Sequence, residues 1–356
     1  MSLISIKSIF LNKINVNNFD FLRVVFATTV ALSHLIELSN VNELKIFSSI
    51  FNTRLAIDGF FIISGFLIAK SYQNTTSTKQ YILRRIKRIV PAYAVVIILS
   101  ALCFSLISSM STSSYFTNPQ FYTYLLANLS FQNYIEPCLP GVFQNNIICA
   151  VNGALWTIKI EEAFYLLIPL FYWLINKKRI NIYVLSSIIF IVSVVYFSYF
   201  VNINMYRIAK QLPGALAFFV TGIMLYHKFS FFNKWKHHII VPCLFLFILE
   251  YVYFETYLLK PATFGFMIFY IAYNFKFLNN FGKYGDFTYG IYIYHFPLIQ
   301  TFVYLGLFNN LNPYVASFIT LTITLILSVI SWYFIELPNL SDSRKSRHKN
   351  LFNTSK

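Results

Sequence analysis

The sequence predicts an all-α, polytopic membrane bundle of about ten transmembrane helices with both termini in the cytoplasm, and three observations carry that prediction. Of the 356 residues, 57% are hydrophobic and only 11% charged, whereas soluble domains carry about 25% charged residues. The apolar runs are mostly near 20 residues long, the length a spanning helix requires, and lack the short alternation of barrel strands. The Lys and Arg residues also fall overwhelmingly on alternate connections, with only Lys45, Arg54, Arg207, Lys210 and Lys260 on the others. This is the positive-inside bias. It accounts for a net charge of +16 without nucleic acid as a partner.

Ten spans follow in order, near 19–39, 55–71, 89–110, 157–175, 181–201, 212–226, 239–254, 261–275, 287–306 and 314–335. The second, sixth, seventh and eighth are short or interrupted by Gly or Pro, which suits tilted, broken or re-entrant segments. The first run already contains Asp20, Arg23 and His34, so it does not read as a cleavable signal peptide. Loop 111–156 holds no Lys or Arg but has Cys138 and Cys149. On an oxidising side of the membrane these two are a candidate disulfide, and two unpaired cysteines are the alternative. The domain organisation expected is one membrane domain over 1–340, then a short basic cytoplasmic tail, 341–356, with Arg344, Lys345, Arg347 and Lys349.

Charged and ionisable residues inside spans ask for a function. Arg23 and His34 are eleven residues apart, which on a helix returns to within about 20° of the same face and about 16 Å along the axis. Asp58 opens the second span, followed by Ser64-Gly65, where a ligand or a neighbouring helix can approach the backbone. Arg84-Arg85-Ile86-Lys87-Arg88 precedes Pro91 and reads either as a stop-transfer anchor or as guanidinium forks for phosphate. Glu161 and Glu162 point about 100° apart on one helix, so one functional carboxylate is expected. His295, beside Pro297, is a second intramembrane imidazole, for which a structural hydrogen bond is the plain reading. His227, His237, His238 and His348 lie in predicted cytoplasmic segments without metal-ligand spacing, and no metal site is expected. Phosphate-loop and Gly-x-Ser-x-Gly motifs are absent from the sequence.

Together these residues resemble the acyltransferase 3 family of integral-membrane O-acyltransferases, over nearly the whole chain. Asn18-Phe19-Asp20-Phe21-Leu22-Arg23 with His34 is similar to the family's opening signature, and Asp58-Gly59-Phe60-Phe61-Ile62-Ile63-Ser64-Gly65-Phe66-Leu67-Ile68 to its second block. Arg85, Arg88 and Pro91 match the basic segment that follows. Trp156, Glu161, Phe164 and Tyr165 match the next block and favour Glu161 over Glu162. Gly285, Tyr289, Tyr292, His295 and Pro297 match the late block, and Ile335-Glu336-Leu337-Pro338 the closing one. The departures are Thr157 and Thr288 in place of serines and Leu337 in place of a frequent basic residue.

The resemblance implies a stand-alone O-acyltransferase, without a C-terminal esterase-like domain, in the bacterial cytoplasmic (inner) membrane. It would move an acyl group, commonly acetyl, from cytoplasmic acyl-CoA to a hydroxyl of a cell-surface sugar such as O-antigen, exopolysaccharide or capsule. No tightly bound cofactor is expected; acetyl-CoA or another acyl-CoA is the donor substrate. The expected partners are that donor, a carbohydrate acceptor that is lipid-linked or free, and membrane lipids. His34, Asp58 and Glu161 are the catalytic candidates: His34 as base, and a carboxylate to fix its tautomer. Arg23, Ser64, Gly65, Arg85, Arg88, Tyr292 and His295 are the substrate-binding candidates. Direct transfer and a covalent acyl-enzyme are both open. The alternative function is a transporter or flippase for a polysaccharide precursor.

Overall fold

A computed structural model describes residues 16–253, 257–279 and 281–340. The basic tail read from the sequence lies outside the described residues. Among those residues every regular element is helical. Ten long helices match the ten predicted spans: α1 (Phe19–Ser39), α2 (Thr53–Gln73), α3 (Thr78–Cys103), α4 (Trp156–Asn176), α5 (Ile182–Asn202), α6 (Leu212–His227), α7 (Phe229–Tyr253), α8 (Lys260–Asn274), α9 (Thr288–Tyr304) and α10 (Pro313–Ser331). Among the described residues seven helical segments are long and apolar enough to cross a membrane, and these contain α1, α2, α3, α5, α6, α7 and α10. The other three fall short for visible reasons. α4 carries Lys159, Glu161 and Glu162 in its first two turns, and α8 and α9 have only 15 and 17 residues.

Two boundaries differ from the sequence reading. α3 begins at Thr78 and not near Ile89, so the Arg84–Arg88 cluster is helical and Pro91 sits inside the helix. The start signal is Ser77, whose hydroxyl accepts the Gln80 N–H at 3.2 Å, in the Ser-x-x-Gln pattern of a capping box. Likewise α7 begins at Phe229, ten residues before the predicted span, which puts Lys234, Lys236, His237 and His238 on a helix. Charge density marks where a helix leaves lipid; it does not end the helix. Elsewhere the stops and starts follow side-chain capping: Asn181 and Asn312 accept the N–H two residues on, at 2.8 and 3.0 Å.

The described chain divides into two compact units. One holds the residues up to Arg23, Ile57–Tyr81 and Ile160–Gly282; the other holds Val24–Ala56, Ile82–Lys159 and the residues from Lys283 on. In the first unit α6 packs on α5 and α8, and α7 on α8. α2 and α6 cross in backbone contact: a Cβ on Gly65 would collide with the Phe219 carbonyl, and one on Gly222 with the Ile62 carbonyl. Phe19, Phe66, Phe269 and Tyr273 make an edge-on aromatic cluster beside this crossing, with Phe19 to Phe66 at 5.4 Å and Phe66 to Phe269 at 4.9 Å.

In the second unit α9 packs on α10. The α10 face is small and polar: Thr320, Thr324 and Ser328 are buried, and each hydroxyl donates to the carbonyl four residues back at 2.6–2.8 Å. That leaves no unmade polar group in an apolar setting and lets Gly290 of α9 sit against Ser328. The long connection between α3 and α4 folds around Asn128 and Asn133, whose amides reach the Glu136 carbonyl and the Tyr93 hydroxyl, each at 2.8 Å. Cys138 and Cys149 are joined in this connection, their Cα atoms 5.4 Å apart.

Candidate active site

In the first unit α1 starts by capping α8. The Asn18 amide donates to the carbonyls of Ile271 at 3.1 Å and Phe275 at 2.5 Å, and the Asn18 N–H donates to Ala272 O at 2.9 Å. These are carbonyls a helix end leaves open. The opening signature therefore has a structural use for its asparagine. Two residues on, the Asp20 carboxylate lies 3.9 Å from the Arg23 guanidinium, a contact of i,i+3 helix neighbours.

Asp58 is fully buried, and its carboxylate lies 3.7 Å from Lys260 Nζ, itself buried at the start of α8. The ammonium also lies 4.3 Å from the ring centre of Tyr257, a cation–π contact. Lys260 looks like an ordinary loop cation in the sequence; only folding shows it as the partner of Asp58. Ser64 and Glu161 come together, with the Ser64 hydroxyl 3.5 Å from Glu161 Oε1, which also accepts the Tyr165 hydroxyl. Phe164, between them in sequence, stacks on Phe219 at 4.1 Å. Gly65 faces the α6 backbone, so the close approach it permits here is that of a helix.

In the second unit His34 and His295 lie ring on ring, 5.5 Å apart between centroids and 10° from parallel. Phe296 meets His34 edge-on at 5.2 Å. His295 is completely buried, and its Nδ1 donates to Ile291 O at 3.0 Å. A carbonyl only accepts, so Nδ1 carries the proton and Nε2 presents a lone pair. Tyr292 is held by the Thr157 hydroxyl and by Ala154 O at 3.3 Å. The Thr157 hydroxyl is therefore the feature needed there, and a serine would supply it equally.

The carboxylate beside His34 is Glu37, with Oε2 3.5 Å from His34 Nδ1, and Ser33 donates to its other oxygen at 3.2 Å. Asp58 and Glu161, the carboxylates the sequence offers for orienting His34, make the Lys260 contact and the Ser64 and Tyr165 contacts described above. Glu37 follows His34 by three residues, so helical spacing alone sets the two side by side. Arg88 is engaged by Asp286, and its guanidinium lies 5.8 Å from the Trp332 ring centre. Arg85 is half-buried one turn earlier on α3. Asp286, like Glu37, was not singled out by sequence reasoning; it sits three residues before Tyr289 in the late block.

A polytopic α-helical membrane protein with paired imidazoles, a neighbouring carboxylate and helix-borne guanidinium groups has parts suited to proton transfer and to anion binding. The chain belongs to the acyltransferase 3 family: the family model described as "Acyltransferase domain" matches residues 16–335. It is an acyltransferase. An O-acetyl transferase of Shigella phage Sf6 is 25% identical over 347 residues, covering 92% of this chain and 97% of the phage protein. Nodulation protein 10 of Rhizobium leguminosarum bv. viciae is 26% identical over 162 residues, 43% of each chain. An uncharacterized protein of Haemophilus influenzae is 32% identical over 170 residues, 44% of this chain and 65% of that one. No solved structure matches the chain. The family assignment sets aside the transporter reading.

Proposed function

We propose that this membrane acyltransferase O-acetylates a sugar of a cell-surface glycan, O-antigen, exopolysaccharide or capsule, with cytoplasmic acetyl-CoA as donor. The observation that carries the chemistry is His34 beside Glu37 on α1. The acceptor hydroxyl gives its proton to the free ring nitrogen of His34 as its oxygen attacks the thioester carbonyl. The C–S bond then breaks, and the proton passes to the departing thiolate, leaving a sugar ester and free CoA. Glu37 holds the tautomer and stabilises the imidazolium, the division of labour of other His–carboxylate pairs.

Arg23 lies eleven residues before His34 on the same continuous helix. Arg85 and Arg88 of α3 are assigned to the anionic donor, since guanidinium forks match phosphate. Arg88 would exchange Asp286 for phosphate on binding. The ten long helices are read as ten spans, with both termini in the cytoplasm and the Cys138–Cys149 loop on the oxidising side of an inner membrane. The nearly full-length likeness to a phage O-acetyl transferase supports acetyl as the group and a hydroxyl as its destination.

The test is mass spectrometry and proton NMR of surface glycans from cells with the intact gene, a deletion, and the His34→Ala form. An acetyl ester that disappears in both defective strains and returns with the intact gene supports the reading. Unchanged ester content in the deletion strain removes it.

A further inference from the structure

The helix that carries His295 contains a break in its own hydrogen bonding, and the outer connection fills it. In α9 the Ile293 carbonyl would bond to the N–H of residue 297, but Pro297 has none. The Asn152 amide donates to that carbonyl at 2.8 Å. Its neighbour Gly153 lies against the tip of the Phe296 ring, such that a Cβ there would come to 2.6 Å from Cζ. Phe296 is the ring that meets His34 edge-on at 5.2 Å. Asn152 and Gly153 thus touch α9 on both sides of His295 in sequence.

A second anchor fixes the same connection one turn on. Buried Gln300 donates to the carbonyls of Ile148 and Ala150 at 2.7 and 2.8 Å, the residues flanking Cys149. Asn146 donates to both the backbone and side-chain oxygens of Gln300 at 2.9 Å. Cys149 is itself tied to Cys138. The connection is therefore held at four points before it reaches Asn152.

We propose that Asn152 and Gly153 are positioning residues for the reaction, capping the carbonyl that Pro297 releases and seating Phe296 so that the His34–His295 pair keeps its geometry. This rests on the assignment of His34 above. Removing the Asn152 amide leaves the Ile293 carbonyl buried and unsatisfied, and α9 must bend or rotate to find another donor.

The test is a double-mutant cycle in the full-length protein with Asn152→Ala, Pro297→Ala and the pair, plus Gly153→Ala. Two quantities are read: the melting temperature in detergent, and label transferred from radiolabelled acetyl-CoA to endogenous glycan in native membrane vesicles. Asn152→Ala is expected to lower kcat about ten- to hundredfold, as small misplacements of reacting groups do, with the KM for acetyl-CoA unchanged. Gly153→Ala is expected to do the same by displacing Phe296. Adding Pro297→Ala supplies an N–H to Ile293 O and is expected to recover most of the loss caused by Asn152→Ala, in rate and in melting temperature.

Wild-type kcat in Asn152→Ala overturns the proposal, and so does a double variant no better than Asn152→Ala in both readouts. Vesicles of the wild type that transfer no label from acetyl-CoA strike the donor assignment instead. In that case the melting temperatures alone decide the cycle.

Discussion

The imidazoles of His34 and His295 face each other at 5.5 Å with their planes 10° apart. They are brought together from helices 261 positions apart in the chain, and their outer bonds differ: His34 meets a carboxylate through Nδ1, whereas His295 donates through Nδ1 to a carbonyl of its own helix. One ring therefore has a carboxylate beside it and the other is bonded to backbone. The buried His295, fixed to its own helix, lies behind the imidazole proposed as the base.

His34→Ala is expected to reduce transfer about 10²- to 10⁴-fold, the usual worth of a positioned general base, while the protein still reaches the membrane. Glu37→Gln should lose less, because it keeps a hydrogen-bonding group and removes only the charge. Initial rates against acetyl-CoA and immunoblots of membranes measure both. Equal rates for Glu37→Gln and wild type would dismiss Glu37 as an orienting group.

Glu161 accepts from Ser64 and Tyr165, so Glu161→Ala leaves two hydroxyls to find new partners. It is expected to destabilise by about 1–3 kcal/mol, and Glu161→Gln by less. Thermal unfolding followed by size-exclusion recovery in detergent ranks them. If Glu161→Ala melts with wild type yet transfers nothing, its role is chemical and not supportive.

Asp58 and Lys260 are both buried and 3.7 Å apart. Asp58→Ala alone strands an ammonium and is expected to cost about 3–5 kcal/mol, whereas changing both to apolar residues of similar volume should recover much of that. The comparison is again by thermal unfolding. Normal stability with abolished transfer in Asp58→Asn would place Asp58 in the reaction.

Gly65 has no room for a side chain because the Phe219 carbonyl lies where a Cβ would go. Gly65→Ala is expected to force α2 and α6 apart and cost about 1–3 kcal/mol, as overpacking does. Low yield of folded protein is the expected result. A stable Gly65→Ala with a raised KM for acetyl-CoA would make this face a ligand surface.

Arg85 and Arg88 should separate. Arg88 is paired with Asp286, so Arg88→Ala and Asp286→Ala are both expected to lower the melting temperature as well as the rate. Arg85→Ala is expected to raise the KM for acetyl-CoA about tenfold, the loss of one charge-assisted contact. A donor KM indifferent to Arg85 would detach the α3 cluster from phosphate.

The number, order and class of the long helices were legible because the backbone has no other means of satisfying its polar groups in lipid, so run length and charge placement are read directly. The motif blocks were legible as chemistry-bearing residues where chemistry is expensive. The starts of α3 and α7 were not, because a charged turn continues a helix as readily as an apolar one; Ser77 was the signal to follow. Partnership was decided only by folding. Lys260 reaches Asp58, Asp286 reaches Arg88, and Asn152 finds the carbonyl of Ile293 across 141 positions. Sequence spacing orders residues within one helix, as it does for Glu37 beside His34. Which faces of separate helices meet depends on packing of small residues, such as Gly65 on Gly222 and Gly290 on Ser328, and that is settled by steric fit in three dimensions.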